Sequence, residues 1–513
     1  MRTTFFFIAV VWTLAMVACS PKQQQAKRYP LTKKVDSVDS YFREIVSDPY
    51  RWLENDTSKE TADWVSSENE VTVAYLNSIP YRDRIKKRIQ SIYSYERLSA
   101  PFKEGNYYYF YKNSGLQNHN VLFRKKVENG APEIFLDPNS FSKEGTTKLV
   151  SISFTSDGSR AAYLISDGGS DWSNGIVINT ADKSVVEDTL RDLKFTGISW
   201  RGNDGFYYST YDKPRGSQLS AKTQNHKLLY HKLGTSQKSD PLIFGGAVTP
   251  RRYISSSLTE DEQFLIVYAA MSTTGTELYI QDLKDPNGKL INVVGNFDNN
   301  HSVIDHDGSR LIIQTNLRAP NNKIVEVDLA NPKAENWKEL VAETENAMQG
   351  VSTAGKRLFV NYLKDAQTLV KQFDYKGRLE RAVELPGIGT AGGFDGKIKD
   401  KEVYYSFTSF TYPPSIFKYD ISSGKSALYE KPKVDFNPDG YETRQVFYKS
   451  KDSTRIPMFI TYKKGTELNG KNPTLLYAYG GFNISLTPNF STARDCMAGK
   501  RRGLRSALPS RRR

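Results

Sequence analysis

A short polar turn followed by an aromatic or β-branched run occurs seven times in the middle of the chain. The turns lie at residues 105, 158, 205, 262, 308, 355 and 400, so that the successive spacings are 53, 47, 57, 46, 47 and 45 residues. Repeats of this length, built from short strands, are typical of the blades of a β-propeller. The pattern therefore predicts seven blades over residues 97–433.

Each of these hairpins is followed by a second segment in which apolar and polar residues alternate. These segments are residues 121–127, 175–180, 228–234, 277–283, 324–329, 369–375 and 415–421. Strict alternation is expected of a strand whose two faces have different surroundings. Aromatic residues make up 12% of the chain, with 31 Tyr and 26 Phe, and such residues favour strands. The sequence thus predicts a mainly β protein.

The pattern changes on both sides of the repeat. Before it, apolar residues between Trp64 and Leu76 follow a helical period. After it, residues 445–448 and 456–462 are predicted to be two strands. Residues 472–479 are predicted to form a buried strand that leads into two glycines. We therefore place a domain boundary at about residue 434.

Composition and charge narrow the class of protein. The chain has 513 residues, of which 38% are apolar and 25% charged, and its mean hydropathy is −0.56. These values indicate a soluble globular protein. Of the formal net charge of +14, residues 492–513 carry +7, from eight Lys/Arg and one Asp. Because half of the basic charge lies in this short segment, the composition does not predict binding to nucleic acid.

The N-terminus has the features of an export signal. An apolar run of about 14 residues follows Met1-Arg2, which is too short for a spanning helix. We therefore predict a signal peptide at residues 1–18. Ala18 directly before Cys19 resembles a bacterial lipoprotein cleavage site, so that Cys19 would carry the lipid and residues 19–30 would form a tether; ordinary secretion is the alternative. Either way, the protein would leave a bacterial cytoplasm and be periplasmic or anchored to the envelope.

No metal or cofactor site is predicted. The Asp-Gly pairs of the repeat could suggest calcium, but Asp and Gly are also the residues that tight turns require, and no D-x-D-x-D-G spacing accompanies them. The five histidines include no H-E-x-x-H pair and have no cysteine near them. The other cysteine, Cys496, forms no C-x-x-C motif.

Several short segments, taken together and in order, resemble one known family. They are D-P-Y-R-W-L-E at 48–54, S-G-L-Q-N at 114–118, F-L-D-P-N at 135–139, G-S-D-W at 169–172 and Y-A-Y-G-G-F-N-I-S-L-T-P at 477–488. Along residues 30–491 the chain resembles the prolyl oligopeptidase family of serine peptidases. The resemblance implies an α/β-hydrolase domain made from both chain ends, here residues 31–96 and 434–491, with the propeller inserted between them.

The resemblance also implies a chemistry. In this family a serine, activated by a histidine that an aspartate orients, attacks the carbonyl after proline in a short peptide. By the motif match, Tyr479 would donate a hydrogen bond to the oxyanion and Phe482 would form a wall of the proline pocket. Gly480 and Gly481 would let the backbone pass close to the substrate. The implied partners are short proline-containing peptides, without nucleic acid, and the implied state is a monomer that meets a membrane only through Cys19.

The sequence departs from the family after Ser491. It contains no G-x-S-x-G motif, in which the nucleophile would lie. Residues 492–513 show no apolar period, and no strand is predicted there; we interpret them as an aberrant basic tail, read out of frame, with a genuine basic binding tail as the alternative. Two functions remain open. The chain is either part of a prolyl oligopeptidase-type endopeptidase that lacks the Ser/Asp/His triad and is inactive alone, or a non-catalytic, membrane-anchored propeller that binds peptides or protein partners.

Overall fold

The computed structural model describes residues 29–214, 223–481 and 484–492, together with the backbone of a strand at Gly503–Ala507. The chain divides into two compact units, one ending at Ile85 and the other beginning at Lys86. The predicted signal peptide at 1–18 and the lipidation site Cys19 lie outside the described residues. In the part that is described, no helix is both long and apolar enough to cross a membrane.

The first unit contains a hairpin and a long helix. The hairpin pairs β1 (Val38–Tyr41) with β2 (Glu44–Ser47). Helix α1 (Lys59–Asn77) contains the predicted helical segment, and this prediction is confirmed. The side chain of Ser58 accepts a hydrogen bond from the backbone N–H of Thr61, which satisfies one of the free amides at the start of the helix. Helix α2 (Arg82–Tyr93) follows.

Seven antiparallel sheets of consecutive strands form the propeller, which confirms the predicted fold class. Blade 1 begins at Arg97, and blades 2 and 3 follow it. Their strands are β3 (Arg97–Leu98), β4 (Phe102–Glu104), β5 (Tyr107–Asn113), β6 (Val121–Lys125) and β7 (Glu133–Leu136) in blade 1; β8 (Lys148–Phe154), β9 (Arg160–Ser166), β10 (Trp172–Asn179) and β11 (Val185–Lys194) in blade 2; and β12 (Ser199–Arg201), β13 (Gly205–Thr210), β14 (Lys227–Lys232) and β15 (Leu242–Gly245) in blade 3.

The remaining four blades have four strands each and end at Glu430. They are β16 (Tyr253–Leu258), β17 (Phe264–Ala270), β18 (Thr276–Asp282) and β19 (Ile291–Val294) in blade 4; β20 (His301–Asp307), β21 (Arg310–Thr315), β22 (Lys323–Asp328) and β23 (Lys338–Val341) in blade 5; β24 (Ala347–Ala354), β25 (Arg357–Lys364), β26 (Gln367–Asp374) and β27 (Leu379–Ala382) in blade 6; and β28 (Thr390–Gly393), β29 (Glu402–Thr408), β30 (Ser415–Asp420) and β31 (Ser426–Glu430) in blade 7.

The first strands of the blades lie nearest the axis, because first strands of consecutive blades contact one another, as β8 does β12 and β12 does β16. The turn after each first strand therefore lies at one end of the central channel. In blades 1 and 2 these turns touch: a Cβ placed on Gly158 would lie 2.4 Å from the backbone N of Gly105. Both residues also have positive φ, of 70° and 55°. Glycine is required at both positions for the two turns to meet.

Six apolar clusters hold consecutive blades together. Each cluster contains buried side chains from two neighbouring sheets, as in the cluster of Leu278 and Ile280 from blade 4 with Leu311 and Ile313 from blade 5. The same arrangement recurs between blades 1 and 2, 2 and 3, 3 and 4, 5 and 6, and 6 and 7. The core of the protein is therefore a set of layers between blades, as the alternation of the strands predicts.

A mixed sheet follows the propeller. Its strands are β32 (Tyr441–Lys449), β33 (Arg455–Lys463), β34 (Thr474–Tyr477) and β35 (Gly503–Ala507), in the spatial order β32-β33-β35-β34. Strand β35 pairs antiparallel with β33 and parallel with β34.

Two predictions about this sheet are wrong. The segment after Ser491, for which no strand is predicted, supplies β35. Sheet pairing uses backbone groups, so a strand can form there without alternating side chains. Strand β34, predicted to be buried, is exposed: Leu476 and Tyr477 keep 65% and 50% of their surface. In the described part of the chain, nothing covers these side chains.

Candidate active-site segment

The candidate site follows directly from the end of β34. Strand β34 runs parallel to β35, and the chain leaves its carboxyl end at Ala478-Tyr479-Gly480-Gly481. In open sheets with parallel strands, ligands bind outside the carboxyl ends of the strands. The predicted site residues therefore lie at the edge of the sheet where such chemistry is usually found.

Tyr479 is a partly exposed phenol that lies over Gly481. Its side chain keeps 37% of its surface. A Cβ placed on Gly481 would lie 3.3 Å from the Tyr479 Oη and 3.4 Å from its Cζ. Gly480 faces open space instead, because nothing lies within 4 Å of a Cβ placed there. The missing side chain at residue 481 thus lets the phenol lie close to the backbone there.

A backbone hydrogen bond ties Gly481 to the residues that follow the site. The N–H of Ile484 donates to the carbonyl of Gly481 at 3.1 Å. Phe482, the predicted wall of a proline pocket, lies outside the described residues. At the opposite end of β34, the preceding loop is held by Asn472, whose side-chain amide donates to the carbonyl of Glu467 at 2.6 Å.

The described residues that follow the site, 484–492, are fixed to the propeller. Leu486 packs against an apolar cluster of Ala366, Phe410 and Phe459, which join blade 6, the end of β29 and strand β33. The hydroxyl of Thr390 donates to the carbonyl of Pro488 at 2.7 Å. These contacts tie the segment that carries Tyr479 to blades 6 and 7.

The anchoring continues to the end of the segment. The N–H of Phe490 donates to Thr408 Oγ1 at 3.3 Å, and the Phe490 ring packs edge-on against Phe436. The sheet itself makes a further bond, from the Gln445 side-chain amide to the carbonyl of Asp365 at 2.6 Å.

Tyr479, Gly480 and Gly481 form one continuous segment in the sequence, but the residues that anchor this segment were not predicted. Thr390 and Thr408 lie in blade 7, about 90 residues earlier in sequence, and no local pattern links them to Pro488 and Phe490. The family resemblance at 477–488 marks these residues in the sequence but does not say what they contact. In the residues the structure describes, no three His, Cys, Asp or Glu side chains gather in a way that could hold a metal ion.

Comparison with known proteins agrees with this architecture. Residues 29–432 match the family model described as "Prolyl oligopeptidase, N-terminal beta-propeller domain". A prolyl endopeptidase of Elizabethkingia miricola is 51% identical over 482 residues, which are 94% of this chain and 68% of the relative. Prolyl oligopeptidase A of Amanita bisporigera is 33% identical over 92% of this chain and 67% of its own length.

Solved structures give the same result. A structure from a study of two prolyl endopeptidases superposes with a TM-score of 0.85 at 29% identity, covering 94% of this chain and 71% of that one. Prolyl oligopeptidase B of Galerina marginata, bound to a 35-residue substrate, superposes with a TM-score of 0.84 at 26% identity, covering 94% and 72%. Together with the seven blades, these matches show that the chain belongs to the prolyl oligopeptidase family of serine endopeptidases.

Proposed function

We propose that this chain provides the propeller and the Tyr479 side of the active site for cleavage of proline-containing peptides. The observation that carries the proposal is the position of Tyr479: an exposed phenol at the carboxyl end of a parallel strand, held over Gly481. A phenol placed in this way can donate a hydrogen bond to the oxyanion that forms as a peptide carbonyl is attacked. Every relative named above is a peptidase, which supports this function over that of a simple binding module.

The 513-residue chain alone is proposed to be inactive. It carries no G-x-S-x-G motif, so it lacks the strand-to-helix turn that exposes a serine nucleophile. We expect the purified protein not to release the reporter group from a Gly-Pro amide above background. Labelling of a single serine by a fluorophosphonate, with turnover that the label abolishes, would contradict this.

The role of Tyr479 can be tested in a chimera. Residues 1–491 of this chain would be joined to the remaining C-terminal part of the Elizabethkingia miricola enzyme. We expect the chimera to cleave the Gly-Pro amide and Tyr479→Phe to lower its kcat by about 10²–10³-fold, as loss of one oxyanion donor usually does. Tyr477→Phe, on β34 two residues earlier, is the matched control and should keep kcat within about twofold. A loss of less than a few-fold for Tyr479→Phe would remove this residue from the mechanism.

We also propose that the protein is exported and carries a lipid on Cys19. The support is the sequence alone: an apolar run of about 14 residues, then Ala18 and Cys19. Expression in a bacterium fed with an alkyne fatty acid should label the protein. Cys19→Ser should abolish the label, whereas Cys496→Ser should keep it. Secretion of an unlabelled protein would establish the ordinary signal peptide instead.

A further inference from the structure

Blade 7 has an unusually long connection at one end of the channel. Its first two strands, β28 and β29, are joined by the eight residues 394–401, which we call the crossing loop. The corresponding turns of the other six blades have two to five residues each, with five in blades 2 and 4. A hairpin can reverse direction in two residues, so most of the crossing loop is available to contact other blades.

The crossing loop reaches a blade on the far side of the ring. The backbone N–H of Ile398 donates to Oε2 of Glu260 at 2.9 Å. Glu260 lies in the turn between β16 and β17 of blade 4. In a ring of seven, the neighbours of blade 7 are blades 6 and 1, and blade 4 is three blades away. A contact between blades 7 and 4 therefore requires the crossing loop and the Glu260 side chain to meet over the central channel.

The same loop is bonded to both neighbouring blades. Lys397 Nζ lies 3.3 Å from Oε2 of Glu104 in blade 1. In blade 6, the N–H of Gly355 donates to the carbonyl of Lys397 at 3.1 Å. The carbonyl of Thr353 accepts from the N–H of Gly396 at 3.0 Å. Eight residues thus connect blade 7 to three other blades.

The junction between blades 7 and 1 differs from the other six. None of the apolar clusters of the described residues spans it, and no strand from one end of the propeller enters the sheet of the other. Its contacts are polar instead. Lys418 of blade 7 lies 3.1 Å from Glu128 of blade 1, which also accepts from the hydroxyl of Tyr404. Lys125 of blade 1 donates to the hydroxyl of Tyr429 at 3.2 Å.

We propose that the crossing loop is a brace that closes the propeller ring at the junction of blades 7 and 1. Separation of these two blades would pull the loop from Glu104 and Glu260 at the same time. The carboxylate of Glu104 also lies close enough to those of Glu260 and Asp400 to be repelled by them, and the ammonium of Lys397 offsets this repulsion. The crossing loop therefore attaches blade 7 to blades 1 and 4. This attachment takes the place of the apolar cluster that the described residues of the junction between blades 7 and 1 lack.

Hydrogen exchange of the full 513-residue chain, read by mass spectrometry, tests the brace. Glu260→Ala removes the acceptor for Ile398, and Lys397→Ala removes the ammonium. Each substitution should raise the exchange rates of amides in β5 and β29 about tenfold, because local opening sets these rates. Amides of β13 and β21, in blades 3 and 5, should change less than twofold.

Two matched controls separate the brace from general loss of stability. Lys399→Ala changes an exposed lysine of the same loop, and exchange should stay as in the wild type. Glu262→Ala removes a carboxylate from the same turn as Glu260, but one that accepts from Gly202 of the adjacent blade 3 at 2.6 Å. Its effect should be confined to blades 3 and 4. Wild-type exchange at β5 and β29 in both brace variants, or an equal rise in all seven blades, would overturn the proposal.

Discussion

The position of the Tyr479 phenol depends on the absence of a side chain at Gly481. An alanine Cβ at 481 would lie 3.3 Å from the Tyr479 Oη, so the ring would have to move by a few tenths of an ångström. In the chimera described above, Gly481→Ala should lower kcat by about tenfold, since small displacements of a catalytic donor are costly. Gly440→Ala is the control, because a Cβ there meets nothing within 4 Å. Equal kcat values for the two variants would contradict the coupling.

The carboxyl of Glu104 should make the brace sensitive to pH. The pKa of Glu104 lies above its usual value: burial raises it most, Lys397 opposes this through its charge and its hydrogen bond, and Glu260 and Asp400 raise the pKa further. A carboxyl whose pKa is higher in the folded state costs stability when ionised, and this cost disappears as pH falls through the folded pKa. Without Lys397 the cost is larger.

Lys397→Ala should therefore lower the free energy of unfolding more at pH 7 than at pH 5. Urea denaturation of the wild type and the variant at both pH values measures this difference. In the double variant Glu104→Gln/Lys397→Ala, the deficit relative to Glu104→Gln alone should be small and should vary less with pH. A deficit that is the same with and without the Glu104 carboxyl would assign the effect of Lys397 to another partner.

Two strands of blade 7 meet blade 1 through one carboxylate, Glu128. Burial alone would raise the pKa of Glu128, but hydrogen bonds from Tyr404 and Lys418 outweigh it and hold the pKa below its usual value. Ionised Glu128 therefore stabilises the fold above about pH 4.5, and this contribution is lost as pH falls further. Lys418 also pairs with Glu402, at 2.8 Å, but that carboxylate lies on blade 7 itself and is 49% exposed.

Double-mutant cycles distinguish these two pairs. Combining Glu128→Gln with Lys418→Met should give a coupling of about 1 kcal/mol in the free energy of unfolding, because the pair is partly buried and joins two sheets. The cycle of Glu402→Gln with Lys418→Met should give less than about 0.5 kcal/mol, as exposed pairs do. Equal couplings would show that the junction gains nothing from the pair that crosses it.

The strands of the propeller could be predicted because the sequence signals that define a strand are local. Alternating side chains and Asp-Gly turns report on the backbone a few residues away, so the number of blades could be predicted. Burial of β34 was predicted wrongly because burial depends on what packs against a strand, as Leu476 shows. The contact of Ile398 with Glu260 joins residues 138 positions apart, and the sequence near Lys399 indicated only another turn.

The candidate site, too, could be predicted only where it is local in sequence. The order Tyr479-Gly480-Gly481 could be read from the sequence because the site is one continuous segment at a strand end. The contacts that fix this segment could not be predicted, since Leu486 and Pro488 are held by residues of blades 6 and 7 that lie far away in sequence. The position of Tyr479 is therefore tied to the same blade whose junction with blade 1 is polar.

Among the described residues, six blade junctions contain an apolar cluster and the junction of blades 7 and 1 is polar, so salt should act on them differently. At 1 M NaCl the Debye length is about 3 Å, and charge pairs that solvent reaches are weakened, whereas apolar contacts are not. Raising NaCl from 0.05 to 1 M should therefore speed exchange of amides in β5, β6, β29 and β30 by about threefold to tenfold. Amides of β17 and β21, between blades 4 and 5, should exchange no faster.

The comparison with Lys397→Ala completes this test. If the brace carries part of the ionic closure, the variant should already exchange faster at low salt, and added NaCl should change its β5 and β29 amides less than those of the wild type. Lys399→Ala should respond to salt as the wild type does. Exchange that rises equally at all seven junctions would mean that the ring opens as a unit. Tyr479 would then move no differently from any other residue fixed to the propeller.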